Sequence, residues 1–258
     1  EVVLSDTPAL RGARVVADIN ASCGTCADCR SGNGHHCPSR TVLGILGRDG
    51  ALAERFTVPE RCLVRVPDSV TDDRAVFAEP LAAALHVLHD LPAGGPVVVL
   101  GDGKLGQLVA RAVLSSGRRT VVVGHHESKL ALARAAGAEA VLEKDLDGTL
   151  AGVPAVVEAT GSSGGLSRAF QLVRPRGTVI LKTTISGRTT VDLSAAVVNE
   201  LRVVGSRCGD MKEAVEALAR GVVDPTDLVV ARYPLSRAES ALEHAARPGT
   251  LKVLVDAR

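Results

Sequence analysis

The feature that most constrains this chain is the stretch VVVLGDGKLGQLVARAVL, in which Gly101, Gly103 and Gly106 are spaced as G-x-G-x-x-G. An apolar run precedes the glycines, and the apolar residues after them recur at the spacing of one helical face. In such a unit the first glycine permits a tight turn, the second lets a pyrophosphate approach the backbone, and the third lets helix and strand pack closely. The glycines could instead serve only a tight turn, but the strand-to-helix context favours dinucleotide binding.

Apolar runs around this motif predict the fold of the segment from about residue 80 to 206. They are continuous rather than alternating, which is typical of strands buried on both faces of a parallel sheet, and they read PVVVL, TVVVG, PAVVEAT, TVILKTT and LRVVGS. Helical stretches such as SKLALARAAG separate them. We therefore predict an α/β fold with a doubly wound parallel sheet.

The regions on either side of this segment have a different sequence pattern. Residues 1–79 contain the short β-rich pieces ARVVADI, AERFTVP and CLVRVP between Gly, Pro and Asp residues, which predicts a small and mostly antiparallel β domain. Residues 207–258 contain one helical segment, MKEAVEALARG, and the predicted strand TLKVLVD. We therefore expect three segments, at 1–79, 80–206 and 207–258.

Composition excludes several classes of function. Lys plus Arg (30) nearly equals Asp plus Glu (29), and aromatic residues make up only 2% of the chain, so neither a basic surface nor stacking platforms for nucleic acid are expected. No apolar run approaches the roughly 20 residues that span a bilayer, and no secretory leader opens the chain. We predict a cytoplasmic protein with no nucleic-acid or membrane partner.

The strand after the glycine motif bears on which dinucleotide is bound. NAD-binding proteins usually present an acid at the end of this strand to bind the ribose hydroxyls, whereas TVVVGHHESKL places Gly124 there. Groups suited to a 2′-phosphate follow or lie nearby in sequence: His125, His126, Lys129, Arg118 and Arg119. We predict NADP(H) over NAD(H). Glu127 is the rival, because it is close enough in sequence to replace the missing acid, although an acid is expected in a first helical turn anyway.

Four of the six cysteines, Cys23, Cys26, Cys29 and Cys37, lie in the stretch CGTCADCRSGNGHHC. Disulfides fit a reducing compartment poorly. A ferredoxin-type iron–sulfur cluster requires three residues before its last cysteine, and this stretch has seven. Catalysis by a thiolate would explain one cysteine but not four. A closed tetrahedral zinc site fits best, with His35 and His36 as alternative ligands or, more simply, surface histidines.

These motifs together resemble the zinc-containing medium-chain dehydrogenase/reductase superfamily, which includes alcohol, sorbitol and threonine dehydrogenases. DINASCGTCADCRSGNGHHC is similar to the structural-zinc lobe of that family, and TVLGILGRDGALAERFTVP to the β segment that follows, although Arg55 stands where a tyrosine is common. VFAEPLAAALHVL, VVLGDGKLGQLVA, VVEATGS and GTLKVLVD then occur in the family order. The resemblance implies a partial GroES-like β domain from residues 1–79 and 207–258, a Rossmann domain between them, and a homodimer or homotetramer.

The resemblance also implies site residues. Lys252 would reach the cofactor phosphates, the alternative being a strand lysine that faces solvent. Glu79 would be the third ligand of a catalytic zinc, the alternative being an acid at a helix start before Pro80. The first two ligands of that zinc, a cysteine and the histidine of a Gly-His-Glu segment, are not in this sequence, so we expect a truncated and catalytically incomplete chain. Lys182, which ends a predicted strand, is assigned no role.

The function implied by the resemblance is a zinc-dependent alcohol or polyol dehydrogenase that transfers hydride between NAD(P) and an alcohol or carbonyl substrate. Two alternatives remain open: a non-catalytic nucleotide-binding or scaffold protein, and a zinc-independent quinone-reductase-like enzyme. The four-cysteine lobe and Glu79 favour the zinc-dependent reading over the last.

Overall fold

The computed structural model describes residues 1–146, 150–185 and 190–257. The chain divides into two units: the first comprises Glu1–Glu79 and Met211–Arg258, and the second comprises Pro80–Asp210. Within the described residues, no helix is long and apolar enough to cross a bilayer.

The first unit begins with short elements. Its strands are β1 (Val15–Ala17), β2 (Asn20–Ala21), β3 (Thr41–Val42) and β4 (Leu63–Arg65), and its helices are α1 (Ala27–Arg30) and α2 (Asp72–Ala75). β1 pairs with β4 and β2 with β3, both antiparallel as predicted. The strand predicted in AERFTVP is wrong, because residues 53–59 form no ladder. Phe56 there is 46% exposed, so the segment lacks the buried face that stabilises a strand.

The second unit is a parallel sheet with helices between its strands. Helix α3 (Ala78–Leu85) leads into it, and the elements that follow are β5 (Val97–Leu100), α4 (Lys104–Ser115), β6 (Thr120–Gly124), α5 (Glu127–Ala135), β7 (Glu139–Leu142), β8 (Val153–Glu158), α6 (Gly165–Leu172), β9 (Val173–Leu181), α7 (Ser194–Val198) and β10 (Arg202–Gly205). The strand order is β10-β9-β8-β5-β6-β7, with every neighbouring pair parallel. This order confirms the predicted doubly wound sheet.

The core of the second unit explains its continuous apolar runs. Every residue of β5, β6 and β8 is buried, since helices cover both faces of a doubly wound sheet. β5 and β8 are neighbours in the sheet although far apart in sequence, and the chain therefore reverses its direction of winding between them. Ligands bind such sheets at the carboxyl ends of the strands beside this switch point.

The chain returns to the first unit through α8 (Met211–Ala219), β11 (Val229–Pro234), α9 (Ala238–Ala246) and β12 (Lys252–Asp256). Helix α8 is amphipathic and buries an apolar face that includes Met211, Ala214 and Leu218. β11 and β12 pair in parallel, with an irregularity between Val229 and Ala231. The strand predicted in TLKVLVD is thus present as β12, and its parallel partner β11 lies outside residues 1–79, for which a mostly antiparallel domain was predicted.

Candidate functional site

The glycine loop joins β5 to α4, and its three glycines are required for different physical reasons. Gly101 has φ +115°, and a Cβ there would lie 2.5 Å from the carbonyl oxygen of Ala159. A Cβ at Gly106 would collide with the carbonyl oxygen of Gly101, so helix and loop can approach this closely only without a side chain. A Cβ at Gly103 would meet nothing within 4 Å. Gly103 therefore leaves an open backbone surface against which a pyrophosphate fits.

A cavity of about 380 Å³ opens beside this loop, at the carboxyl ends of β5, β6 and β8. The loop lines it through Gly101 and Gly103, together with the N-terminus of α5 and the loop after β8; its remaining lining is Leu100, Asp102, Val123, Gly124, His125, His126, Lys129, Glu143, Thr160, Ser162, Gly164, Gly165 and Arg168. The structure thus brings together the predicted Gly101, Gly103, Gly124, His125, His126 and Lys129, whereas Gly106 packs behind the loop. Lys252 lies on β12 of the first unit, with its Nζ 5.6 Å from the ring centroid of Phe77, and its role toward a cofactor stays a prediction.

Asp102, the residue between the first two glycines, is a cavity residue that the sequence reading missed. Its side chain is only 8% exposed. Oδ2 accepts hydrogen bonds from the backbone N–H groups of His125 (2.8 Å) and His126 (2.7 Å), and it lies 3.0 Å from Nδ1 of His126. Oδ1 is 3.8 Å from Nζ of Lys129. A carboxylate is therefore present beside residues 124–126, between the end of β6 and the start of α5, although these three residues contain none.

The ionisation of Asp102 follows from these contacts. Burial acts to raise the pKa of the carboxyl group, but the hydrogen bonds from His126 and His125 and the charge of Lys129 outweigh burial, so its pKa lies below the ordinary value. A carboxylate at the N-terminus of a helix is further favoured by the helix dipole. Asp102 is thus an anion at neutral pH.

A buried amide holds the glycine loop and α5 together. Gln107 is fully buried, and its Nε2 donates to the carbonyl oxygens of Lys129 (2.8 Å) and Asp102 (3.4 Å). The side chain of Arg111 donates to Oε1 of Gln107 at 3.0 Å. Because a buried amide is costly without partners, this network fixes the position of Lys129 relative to the loop. In the sequence, only one feature indicates this network: Gln107 is a polar residue at a helix position where apolar residues are expected.

The positions of three further charged residues correct part of the prediction made for the 2′-phosphate site. Arg118 donates to the carbonyl oxygens of Pro92, Gly94 and Gly95, and Arg119 pairs with Glu139 at 2.6 Å. Both arginines precede β6, whereas the cavity lies at its other end, so their expected closeness to the 2′-position is wrong. Glu127 pairs with Arg134 at 2.5 Å and does not line the cavity.

The four predicted zinc ligands converge in the first unit. The Sγ atoms of Cys23, Cys26, Cys29 and Cys37 all lie within 4.8 Å of one another, with separations of 3.8 Å for Cys23–Cys29 and 3.4 Å for Cys26–Cys29. Four thiolates around zinc at about 2.3 Å would stand about 3.8 Å apart in a tetrahedron. The donor set and its spacing therefore fit zinc.

Backbone and hydroxyl groups around the cluster favour thiolates. Thr25 donates to Sγ of Cys23 through its N–H and its hydroxyl group, and with the N–H of Cys26 this lowers the pKa of the Cys23 thiol to about 5. The N–H of Gly24 donates to Sγ of Cys29 at 3.3 Å. His35 contacts Asp18 at 2.8 Å rather than joining the cluster. The backbone N–H of Cys29 acts to lower the pKa of the Cys26 thiol, but the side-chain hydrogen bond with Cys29, together with burial and the sulfur atoms of Cys23 and Cys37, raises it to about 11. The surroundings therefore favour thiolates at Cys23 and Cys29, whereas Cys26 would have to lose its proton to bind a metal ion.

Known families match both units. A profile of the alcohol dehydrogenase GroES-like domain matches residues 3–68, and a profile of zinc-binding dehydrogenases matches residues 105–222. The chain belongs to the zinc-containing medium-chain dehydrogenase/reductase superfamily. It is accordingly an oxidoreductase of the alcohol dehydrogenase type.

Individual members of the superfamily align over nearly the whole chain. The 2-dehydro-3-deoxy-L-galactonate 5-dehydrogenase of Pseudoalteromonas atlantica is 29% identical over 260 residues, covering 95% of this chain and 76% of that enzyme. L-idonate 5-dehydrogenase from Escherichia coli has a TM-score of 0.90 at 25% identity, covering 98% of this chain and 79% of that one. A protein of Sinorhizobium meliloti 1021, described as a zinc-binding dehydrogenase and solved with NADP bound, has a TM-score of 0.87 at 27% identity, covering 98% and 78%.

The resemblance to zinc-containing dehydrogenases predicts Glu79 as a ligand of a second metal ion, the catalytic zinc. Glu79 is half-buried and lies in the first turn of α3. The helix begins at Ala78, so Pro80 is its third residue rather than its first, still within the turn where a missing N–H costs no helical hydrogen bond. Among the described residues, only the four-cysteine group forms a cluster of three or more metal-ligating side chains. The assignment of Glu79 therefore stays a prediction.

Lys182, which follows β9 directly, is buried. Its Nζ donates to the carbonyl oxygens of Ala83 (2.8 Å) and Arg207 (2.6 Å). It thereby ties α3, where the chain enters the second unit, to the segment after β10, where the chain leaves it. Gly209 packs against the same helix, because a Cβ there would collide with the carbonyl oxygen of Ala82. Lys182 therefore has a structural role in this dehydrogenase, as a hydrogen-bonded link between two segments, and it does not line the cavity.

Proposed function

We propose that this chain binds a nicotinamide dinucleotide, with NADP(H) favoured over NAD(H), and that it is the cofactor-binding part of a dehydrogenase reaction in which hydride passes between the cofactor and an alcohol or polyol or the corresponding carbonyl. The observation that carries the proposal is the cavity beside the glycine loop, where Gly103 leaves the backbone open to a pyrophosphate while Gly101 and Gly106 are fixed by packing. The cofactor, when bound, supplies the hydride chemistry. The residues of this chain bind and orient it.

The preference for NADP(H) is supported by the groups around the end of β6. Gly124 carries no carboxylate, and His125, His126 and Lys129 line the cavity with Arg168. The structurally similar S. meliloti protein was solved with NADP bound. Titration with NADPH and with NADH, followed by nicotinamide fluorescence, tests the preference. Tighter binding of NADH would contradict it.

The four cysteines are proposed to hold a structural zinc ion. Their closed arrangement leaves no open position for a substrate, so the ion would stabilise the lobe around α1 rather than take part in the reaction. One zinc per chain by metal analysis of the purified protein is the expected result. Iron absorbance in its place would contradict the assignment.

The substrate class is proposed from the named relatives and from Glu79. The P. atlantica and E. coli relatives are named as dehydrogenases of 2-dehydro-3-deoxy-L-galactonate and L-idonate, both polyhydroxylated carboxylic acids. We expect an alcohol of polyol type, oxidised at a secondary hydroxyl group. Glu79 would contribute one ligand to a catalytic zinc, which would act as a Lewis acid on the substrate oxygen.

Because the described residues hold a single multi-ligand cluster, we propose that these 258 residues by themselves bind cofactor but turn over alcohols negligibly. Metal analysis combined with cofactor titration and a dehydrogenase assay tests this. One zinc with cofactor binding and negligible turnover is expected. Two zinc ions per chain with robust activity would refute it, whereas zinc without any nicotinamide binding would favour a scaffold protein.

A homodimer or homotetramer is proposed for the second unit. β10 is an edge strand of the described sheet, and apolar side chains beside it are exposed: Leu193, Val197, Val198 and Val203. An exposed edge with apolar neighbours is a surface that natural proteins cover. Sedimentation of the protein as a monomer at micromolar concentration would contradict the proposal.

A further inference from the structure

The carboxylate of Asp102 occupies the place of the acid that β6 lacks. A Cβ built at Gly124 would lie 2.5 Å from Cβ of Asp102 and 2.6 Å from its Oδ2. An acidic side chain at the end of β6 would therefore start where the Asp102 side chain already stands. The glycine loop thus supplies, from another strand, the type of group that NAD-binding proteins present at this point.

The charged groups around Asp102 show how this carboxylate changes the net charge of the cavity lining. The charged side chains of the lining are Asp102 and Glu143 against Lys129 and Arg168, so they cancel when the histidines are neutral. Asp102 is 3.8 Å from Lys129, and Glu143 is 3.4 Å from Arg168 and 3.0 Å from His125. Each cation that would attract a 2′-phosphate is therefore already paired with an acid.

We propose that Asp102 is a cofactor-specificity residue that limits the preference of this chain for NADP(H) over NAD(H). The inference rests on the proposed nicotinamide binding. Two physical effects act in the same direction. The carboxylate repels a 2′-phosphate and offsets the attraction of Lys129, and its Oδ1 can accept a hydrogen bond from an unmodified ribose hydroxyl group. Loss of the charge therefore raises the ratio of NADPH affinity to NADH affinity.

A purely structural role makes a different prediction. Asp102 caps the turn before α5 through two backbone N–H groups, and if this were its whole function, a substitution would weaken NADPH and NADH together. Only a charge effect at the 2′-position changes the ratio of the two affinities. The ratio is therefore the informative quantity.

The test compares Asp102→Asn, which keeps the size and one acceptor oxygen, with Glu127→Gln as a matched control. Glu127 is an acid two residues beyond His125 that is paired with Arg134 outside the cavity. Affinities of both variants and the parent protein are measured for NADPH and NADH by fluorescence, and for 2′,5′-ADP and 5′-ADP by calorimetry. We expect the NADPH:NADH ratio to rise about tenfold in Asp102→Asn, as for loss of one nearby like charge in a partly screened site, and to stay within twofold in Glu127→Gln.

A second variant keeps the test decisive if Asp102→Asn folds poorly. Asp102→Gly should raise the ratio, and Asp102→Gly combined with Gly124→Asp, which returns the acid to the strand end, should lower it to the parent value or below. An unchanged or falling ratio in Asp102→Asn, or a double variant no different from Asp102→Gly, would overturn the inference alone. A parent protein that binds neither nicotinamide nor 2′,5′-ADP would overturn the proposed function as well.

Discussion

The two candidate sites are built in opposite ways. The glycine-loop cavity lies on a six-stranded sheet whose central strands are fully buried, so apolar packing and buried hydrogen bonds of the chain itself fix its backbone. The cysteine cluster lies in a lobe where β2 and β3 are two residues long and α1 four. Such a lobe buries too little apolar surface to define its own shape. Its order is therefore expected to depend on a metal ion, whereas the cavity should keep its form without a ligand.

The largest expected effect comes from breaking the cysteine cluster. Cys37 is fully buried, and Cys37→Ser should abolish tight zinc retention, since metal binding in such sites contributes about 10 kcal/mol or more to folding. We expect limited proteolysis to cleave within residues 20–45 while NADPH affinity changes by less than threefold. Loss of cofactor binding in parallel would show that the two sites are not independent. Cys62→Ser, outside the cluster, is the control.

A smaller effect is expected within the glycine loop, where two neighbouring glycines should behave differently. Gly106→Ala places a Cβ against the carbonyl oxygen of Gly101 and should cost about 3 kcal/mol of unfolding free energy through overpacking. Gly103→Ala meets no atom within 4 Å, so stability should hold while NADPH affinity falls at least tenfold. Thermal unfolding by circular dichroism and cofactor titration separate the two. Equal stability losses would contradict the assigned roles.

The buried lysine gives the third test. Lys182→Met keeps the length and apolar stem of the side chain but leaves the carbonyl oxygens of Ala83 and Arg207 without this donor. Buried acceptors that lose a partner cost about 1–3 kcal/mol, so we expect a loss of about 2 kcal/mol in the unfolding free energy of the second unit. Urea denaturation followed by circular dichroism measures it. A loss below 0.5 kcal/mol would argue against this structural role, in line with what surface substitutions usually cost.

The smallest expected effect is the pH dependence from Asp102. Its pKa is lower in the folded protein than its ordinary value, so its charge stabilises the fold above the unfolded-state pKa of about 3.9, and this contribution disappears as pH falls through the folded-state pKa. The stability advantage of the parent protein over Asp102→Asn at pH 6 should therefore shrink as the pH is lowered to 3. An advantage that grows toward acid would have the wrong sign.

The contrast between the two regions also explains what the sequence could predict. Fully buried parallel strands produce unbroken valine runs, and the glycine spacing reflects packing that no other residue permits, so the sheet and the loop follow from local pattern. AERFTVP contains residues that favour strands but has no buried face, so the strand that local pattern predicted there is wrong. The parallel pairing of β11 with β12 joins two separate segments of the chain, and local pattern gave no prediction of it.

The prediction of which charged residues lie at the cavity was partly wrong for a related reason. Arg118 and Arg119 are next to β6 in sequence, but they precede it, and a strand separates its two ends by its full length. Asp102 was overlooked because it is a variable position of the glycine motif, and its closeness to Gly124 arises only when β5 and β6 pair. Contacts across neighbouring strands decide the electrostatics of this cavity, and a single sequence does not report them.

The contact of Gly209 and Lys182 with helix α3 has a consequence for how such a chain can be rebuilt. It brings the first and last segments of Pro80–Asp210 side by side, so the whole unit is an insertion whose two ends meet. Modules with adjacent ends can be moved between host proteins or removed across a short bridge with little disturbance to the host. Recombination at residues 80 and 210 would therefore exchange one cofactor-binding unit for another. Residues 1–79 and 211–258 would keep their own fold.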